Sequence, residues 1–197
     1  MSSQKEYTIK KLPHPKIMIA YSETMKIRKS KNFQSLKNKR IARTRRQRGY
    51  NWEDTLVKRF NRLDGWQAFR LGSPSTGLPD VFAISTKYKS VFTIEAKSGT
   101  GTSLYVPPDQ IERCQKWIHA FDLYENRKVI LAFKFLSKKR IGNGEYQKRE
   151  LREFYKVCHE STFPSNLVCT YDGKTYLTKE GKRSKMLLKE QKMPFNR

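Results

Sequence analysis

The sequence predicts an α/β domain in which a central mixed β-sheet is flanked by helices, with a basic extension at either end. Three observations lead there. Over residues 49–137 the apolar pattern runs helix, strand, strand, strand, helix, strand. Charge is uneven: residues 1–48 carry 15 Lys or Arg against 2 acids and residues 138–197 carry 15 against 7, whereas residues 49–137 hold 12 against 9. The balanced stretch is where a core can form. The run "KVILAFKFL" is also apolar and long enough to be an interior strand. The expected organisation is a basic N-terminal extension over 1–48, a folded domain over 49–178 with its clearest patterning in 49–137, and a basic C-terminal tail over 179–197.

Each element follows from its residues. Residues 1–48 lack sustained apolar periodicity, and "KIRKSKNFQSLKNKRIARTRRQRG" is expected to stay mobile until it meets an anion. At Gly49 the texture changes. "NWEDTLVKRFNRLDGW" places Trp52, Leu56, Val57, Phe60 and Leu63 at helical spacing, and Glu53 falls inside that apolar arc. A carboxylate in the first turn of a helix is also what the macrodipole favours, so Glu53 alone carries either meaning. "WQAFRL" reads as a strand, "GSPSTG" as a loop, and "LPDVFAIS" and "VFTIEAKSG" as two strands joined into a hairpin by "TKYKS". In "PPDQIERCQKWIHAF" Pro107 and Pro108 open a helix, with Gln110, Cys114, Trp117 and Phe121 on one face. Beyond "KVILAFKFL", "EYQKRELREFYKVCH" reads as a short helix, "NLVCTYDGKTYLT" as a hairpin turning at Asp172-Gly173, and "KEGKRSKMLLKEQKMPFNR" as a tail helical in part.

Composition narrows the partner. A formal charge of +24 on 197 residues points to a polyanion, with nucleic acid the first candidate. Cys114, Cys158 and Cys169 form no CxxC pair, and Cys158-His159 has no second pair at zinc spacing, which predicts reduced thiols and no zinc. No apolar stretch is long enough for a signal peptide or a membrane span, so a soluble cytoplasmic protein is expected.

The chemistry lies in misplaced charges. In "PDVFAISTKYKSVFTIEAKSG" alternation puts Val91, Thr93, Glu95 and Lys97 on one face and Phe92, Ile94 and Ala96 on the other. A strand made of Val, Phe and Ile does not hide a Glu and a Lys together without a use, because desolvating them is costly. Asp80 stands at the start of the preceding strand, 15 residues before Glu95. Glu53, Asp80 and Glu95 converging would repel one another unless a divalent cation lay among them, and an all-oxygen set suits Mg²⁺ or Mn²⁺. A neighbouring Lys orients water or stabilises phosphate charge. Metal, hydroxide and cationic donor together suit phosphodiester hydrolysis.

With "GLPDVFAIS", "FTIEAKSG" and "LYVPPDQIERC" preceded by "FRLGSPS" and a helical Glu53, the sequence resembles the archaeal Holliday junction resolvase family, within the PD-(D/E)xK nucleases of restriction-endonuclease-like fold. The resemblance covers about residues 48–136. It implies that Glu53, Asp80 and Glu95 hold Mg²⁺, two ions per site with Mn²⁺ substituting, and that Lys97 is the catalytic lysine. It further implies a site glutamine at Gln110, a basic residue at Arg70, and a functional serine at Ser73 or Ser75. It implies four-way DNA junctions as substrate and a homodimer, since a junction of near two-fold symmetry needs two nicks. Arg43, Arg45, Arg46 and Arg48 are candidate phosphate contacts. Arg113, Lys116, Arg127 and Lys128 read as surface cations serving DNA or solubility alike. Two other readings share these features: a sister nuclease of the same fold acting on flaps, ends or duplex, and a non-catalytic nucleic-acid-binding protein.

Overall fold

The computed structural model describes residues 15–72, 77–142, 145–159 and 165–196, with backbone alone over 15–33 and at 37. The chain forms two units, Met1–Thr44 and Arg45–Arg197. In the first, every described residue is helical, belonging to α1 (Pro15–Asn61). This corrects the expectation of an unstructured basic segment. Lys, Arg, Gln, Leu and Ala are good helix formers, and a helix without an apolar stripe leaves no periodic signal to read.

The second unit is built on a mixed sheet of five strands. β1 (Gln67–Arg70), β2 (Val81–Ser85) and β3 (Ser90–Gly99) form an antiparallel meander. β4 (Ser103–Val106) and α2 (Pro108–His119) intervene before β5 (Asn126–Phe135), which pairs parallel to β3 over ten residues, from Ser90↔Asn126 to Gly99↔Phe135. β6 (Lys138–Gly142) and β7 (Glu145–Lys148) make a separate two-stranded ribbon. β8 (Arg152–Cys158) then closes the order β1-β2-β3-β5-β8, antiparallel to β5. β9 (Asn166–Thr170), β10 (Thr175–Lys179) and β11 (Lys182–Lys185) join β4 in a second sheet ordered β11-β10-β9-β4.

The alternation of β3 sorts the core into two layers. Phe92, Ile94 and Ala96 face Trp52, Leu56 and Phe60 of α1. Val91 belongs to the other layer, with Ile111, Cys114 and Ile118 of α2 and Leu104, Val106 and Leu167 of the second sheet. Burying each such side chain is worth about 1.5–3 kcal/mol. β3 and β5 are therefore covered on both faces, and apolar residues fill them almost without interruption.

Three local expectations give way. Residues 145–148 and 152–158 are strands rather than a helix, the second because Phe154, Tyr155, Val157 and Cys158 pair with β5 and three of them are buried there. The segment after Lys179 is not helical: β11 hairpins onto β10, and Met193 and Phe195 pack on the α1 layer. Phe121 lies past the end of α2, although its ring still packs against Phe82, tilted at 38° with centroids 4.9 Å apart. The hairpin at Asp172-Gly173 does form, with Gly173 at φ +80°.

Candidate active site

The site is assembled at the end of the sheet where β3 emerges from cover. Glu95 is wholly buried, and its two oxygens are divided between two cations: Lys97 Nζ lies 2.5 Å from Oε1 and the Arg113 guanidinium 2.7 Å from Oε2. Arg113 also stands 3.4 Å from Asp80 Oδ1 and is itself only 12% exposed. Asp80 Oδ2 accepts the Ala96 N–H at 2.9 Å, so this carboxylate both faces the site and ties the start of β2 to β3. Its carbonyl accepts the Leu71 N–H at 3.0 Å, and a Cβ at Gly72 would lie 3.2 Å from its Oδ1, a tight approach that the glycine eases.

Glu53 comes from the other layer. α1 packs on the Phe92/Ile94/Ala96 face, whereas Glu95 and Lys97 project from the opposite face. Glu53 is 7% exposed, and its Oε2 is buried without a hydrogen-bond partner among the described residues. Burial, reinforced by Asp80, pushes its carboxyl up to about 7, with Arg70 opposing. Burial likewise raises the Glu95 carboxyl, against the pull of Lys97. Arg70 on β1 lies 3.5 Å from Asp54 Oδ1 and stacks 4.8 Å over Tyr50. In the first turn of α2, Gln110 Oε1 is likewise buried without a partner among the described residues.

Asp80 and Glu95 thus meet at one guanidinium, with Lys97 beside them and Glu53 near enough to feel both charges. They do not close into a metal cage: among the described residues no three His, Cys, Asp or Glu side chains stand together as a metal-binding group. Arg113 and Lys97 supply the positive charge between the carboxylates instead. The donors nevertheless suit a hard divalent cation. They are all oxygens, and one of them, Glu53 Oε2, is a buried acceptor lacking any donor among the described residues, a costly arrangement that an added cation relieves. Arg113, read from sequence as a surface cation, belongs to the site. Nothing in its spacing on an amphipathic helix separates it from a solvated cation.

The other residues singled out in the sequence are spread differently. Ser73 and Ser75 lie outside the described residues. Arg43, Arg45 and Arg46 are exposed on α1, and Arg48 is half-buried, its carbonyl accepting from Ser98 Oγ at 3.2 Å.

The family profile described as archaeal Holliday junction resolvase (Hjc) matches residues 44–160, more than half of the chain. The chain belongs to the Hjc family. The match takes in the whole carboxylate–lysine site, α2 and β5, together with the β6–β7 ribbon and β8. Among solved structures, the Holliday junction resolvase Hjc of the archaeal hyperthermophile Archaeoglobus fulgidus is similar at 17% identity, with a TM-score of 0.40, over 62% of this chain and 87% of that one. No curated protein matches the sequence. No described helix is long and apolar enough to cross a membrane.

Proposed function

We propose that this Hjc-family chain is a metal-dependent, structure-selective DNA endonuclease of the restriction-endonuclease-like PD-(D/E)xK fold. On this reading it resolves four-way junctions by paired symmetric nicks inside the cell. The observation that carries the reading is the buried Glu95, flanked by Lys97 and joined through Arg113 to Asp80. A purely structural strand has no reason to bury such a set, since replacing a buried ion pair by apolar residues is often neutral or stabilising.

Glu53, Asp80 and Glu95 are the residues that would hold Mg²⁺ or Mn²⁺, as one ion or two. When bound, such an ion supplies Lewis acidity and a lowered water pKa. The chain does the rest. Asp80, fixed by the Ala96 N–H, keeps one oxygen aimed at the site. Lys97 has a side chain 23% exposed and held by Glu95, which places its ammonium to orient water or to donate to a phosphate oxygen. Gln110 contributes an amide whose oxygen is free to accept. Arg113 compensates the buried carboxylates and is positioned to share its charge with a phosphate as they become engaged. Ser73 or Ser75, a few residues before Asp80 in the sequence, is a further candidate. Arg70, with the arginines of α1, is the proposed phosphate-contacting set.

Labelled four-way junction, matched duplex, flap and single strand, each with Mg²⁺ and with EDTA, test this reading. Metal-dependent paired nicks in the junction alone are expected. Asp80→Asn should abolish nicking by at least 100-fold while leaving junction binding intact, roughly the scale of losing one charge-stabilising group. Metal-dependent cutting that prefers another substrate would move the activity to a sister nuclease, and binding without cutting in any metal would refute catalysis. Two nicks on one junction also require two sites, so a mass twice that of the chain is expected at micromolar concentration.

A further inference from the structure

The β6–β7 ribbon stands apart from both sheets. Every residue of β7 is exposed, as is all of β6 except the half-buried Lys139. A two-stranded ribbon with no core beneath it is marginally stable. Its register makes matters worse: Lys138 pairs with Lys148 and Arg140 with Tyr146, so one face gathers three cations around a ring. Like charges directly opposed across an antiparallel pair are destabilising. Among the described residues no acidic side chain forms an ion pair with Lys138, Arg140 or Lys148. Tyr146 remains 47% exposed beside them.

The base of the ribbon, by contrast, is firmly fixed, and fixed to the catalytic strand. The Arg140 N–H donates to the Thr100 carbonyl at 3.1 Å and the Leu136 N–H to that of Gly99 at 2.9 Å. Arg149 donates from Nε to the Leu136 carbonyl at 2.8 Å and from its guanidinium to that of Gly101 at 3.0 Å, and it stacks 4.5 Å over Tyr171. These anchors lie two to four residues beyond Lys97. A basic, solvated ribbon is thereby tied at its base to the segment that directly follows Lys97.

We propose that β6–β7 is a DNA-gripping ribbon, whose Lys138, Arg140 and Lys148 contact the phosphates of the duplex arm entering the site while Tyr146 lies against the sugar edge. A two-stranded β-ribbon is one of the two elements that the major groove admits. Polyphosphate supplies the counter-charge that the opposed lysines lack.

This inference rests on the reading of the chain as a junction-binding protein, and the test keeps the two apart by measuring binding in EDTA, where nicking plays no part. Lys138→Gln, Arg140→Gln and Lys148→Gln are combined, and Lys182→Gln, Arg183→Gln and Lys185→Gln on β11 serve as the charge-matched control. Four-way junction binding is titrated against salt for both and for the wild type. The ribbon variant is expected to bind more weakly and to lower the slope of log K against log salt by about 2 to 3, at roughly 0.9 per phosphate contact. Its melting temperature should be unchanged or higher, since an opposed cation pair is removed. A wild-type slope in the ribbon variant, or an equal loss in the β11 variant, would overturn the ribbon while leaving the nuclease reading standing. Wild-type protein that binds DNA with the ribbon-dependent slope but never nicks would overturn the nuclease reading alone. Failure of the wild type to bind any DNA would overturn both.

Discussion

Glu53 is an acid held where water is scarce, and its protonation reports that directly. Its carboxyl rises from 4.5 to about 7, so between those values the folded chain keeps a proton that the unfolded chain has released. Stability drawn from this group is full below about pH 4.5 and is lost as pH climbs through about 7. In EDTA, urea unfolding of the wild type should therefore lose up to about 3 kcal/mol relative to Glu53→Gln between about pH 4.5 and 8. A difference that does not vary with pH would mean that the acid ionises normally. A divalent cation favours the ionised form, so metal affinity should climb across the same window in the wild type and stay flatter in the variant. Arg113 shows the limit of reading residues one at a time. Glu95 and Lys97 betray themselves by breaking an apolar strand, whereas an arginine on an amphipathic helix looks like any solvated cation. Only the packing of α2 against β3 brings it to within 2.7 Å of Glu95.

At the scale of elements, short-range pattern decided what was legible. The β2–β3 hairpin, α2 and β5 follow from alternation, paired prolines and an apolar run, each a local signal. β8 does not. "EYQKRELREFYKVCH" is rich in helix formers, and the strand character of its Arg152–Cys158 part comes from pairing with β5 and from Tyr155 and Val157 entering the α1 layer, which are long-range facts. α1 fails in the other direction: its basic half obeys propensity but has no apolar stripe to announce it. The β9–β10 turn is a case where chemistry and geometry agree. Gly173 takes φ +80°, and a Cβ there would sit 2.6 Å from Phe154 Cε1. Gly173→Ala should lower the unfolding free energy by about 1–3 kcal/mol, the cost of a left-handed non-glycine compounded by a clash, measured by urea titration. A loss below a few tenths would mean that Phe154 yields freely.

For the whole molecule the governing quantity is charge. At +24 the chain repels itself, and its 42 Lys and Arg far outnumber the 18 Asp and Glu available for internal pairing. Replacing Arg43, Arg45, Arg46 and Arg48 together by Gln should reduce the salt slope of junction binding by about one for each phosphate that an arginine no longer neutralises. Because phosphates carry no sequence information, junction and duplex affinity should fall by similar factors. A loss confined to the junction would instead assign these arginines to recognition of its shape.

The parallel pairing of β3 with β5 carries a consequence for how the chain becomes active. Parallel neighbours cannot be joined by a tight turn, so β3 acquires its second flank only after β4 and α2 have been threaded between. The same α2 delivers Gln110 and Arg113, and the helix bearing Glu53 is packed by Met193 and Phe195, more than 130 residues further along the sequence. Pairings of such sequence separation are slow to close and arrive together. A half-made chain therefore holds the carboxylates but not the arrangement, and during refolding nicking should return with the last tertiary signal and never ahead of it. On the nuclease reading, an incomplete chain stays harmless until it is finished.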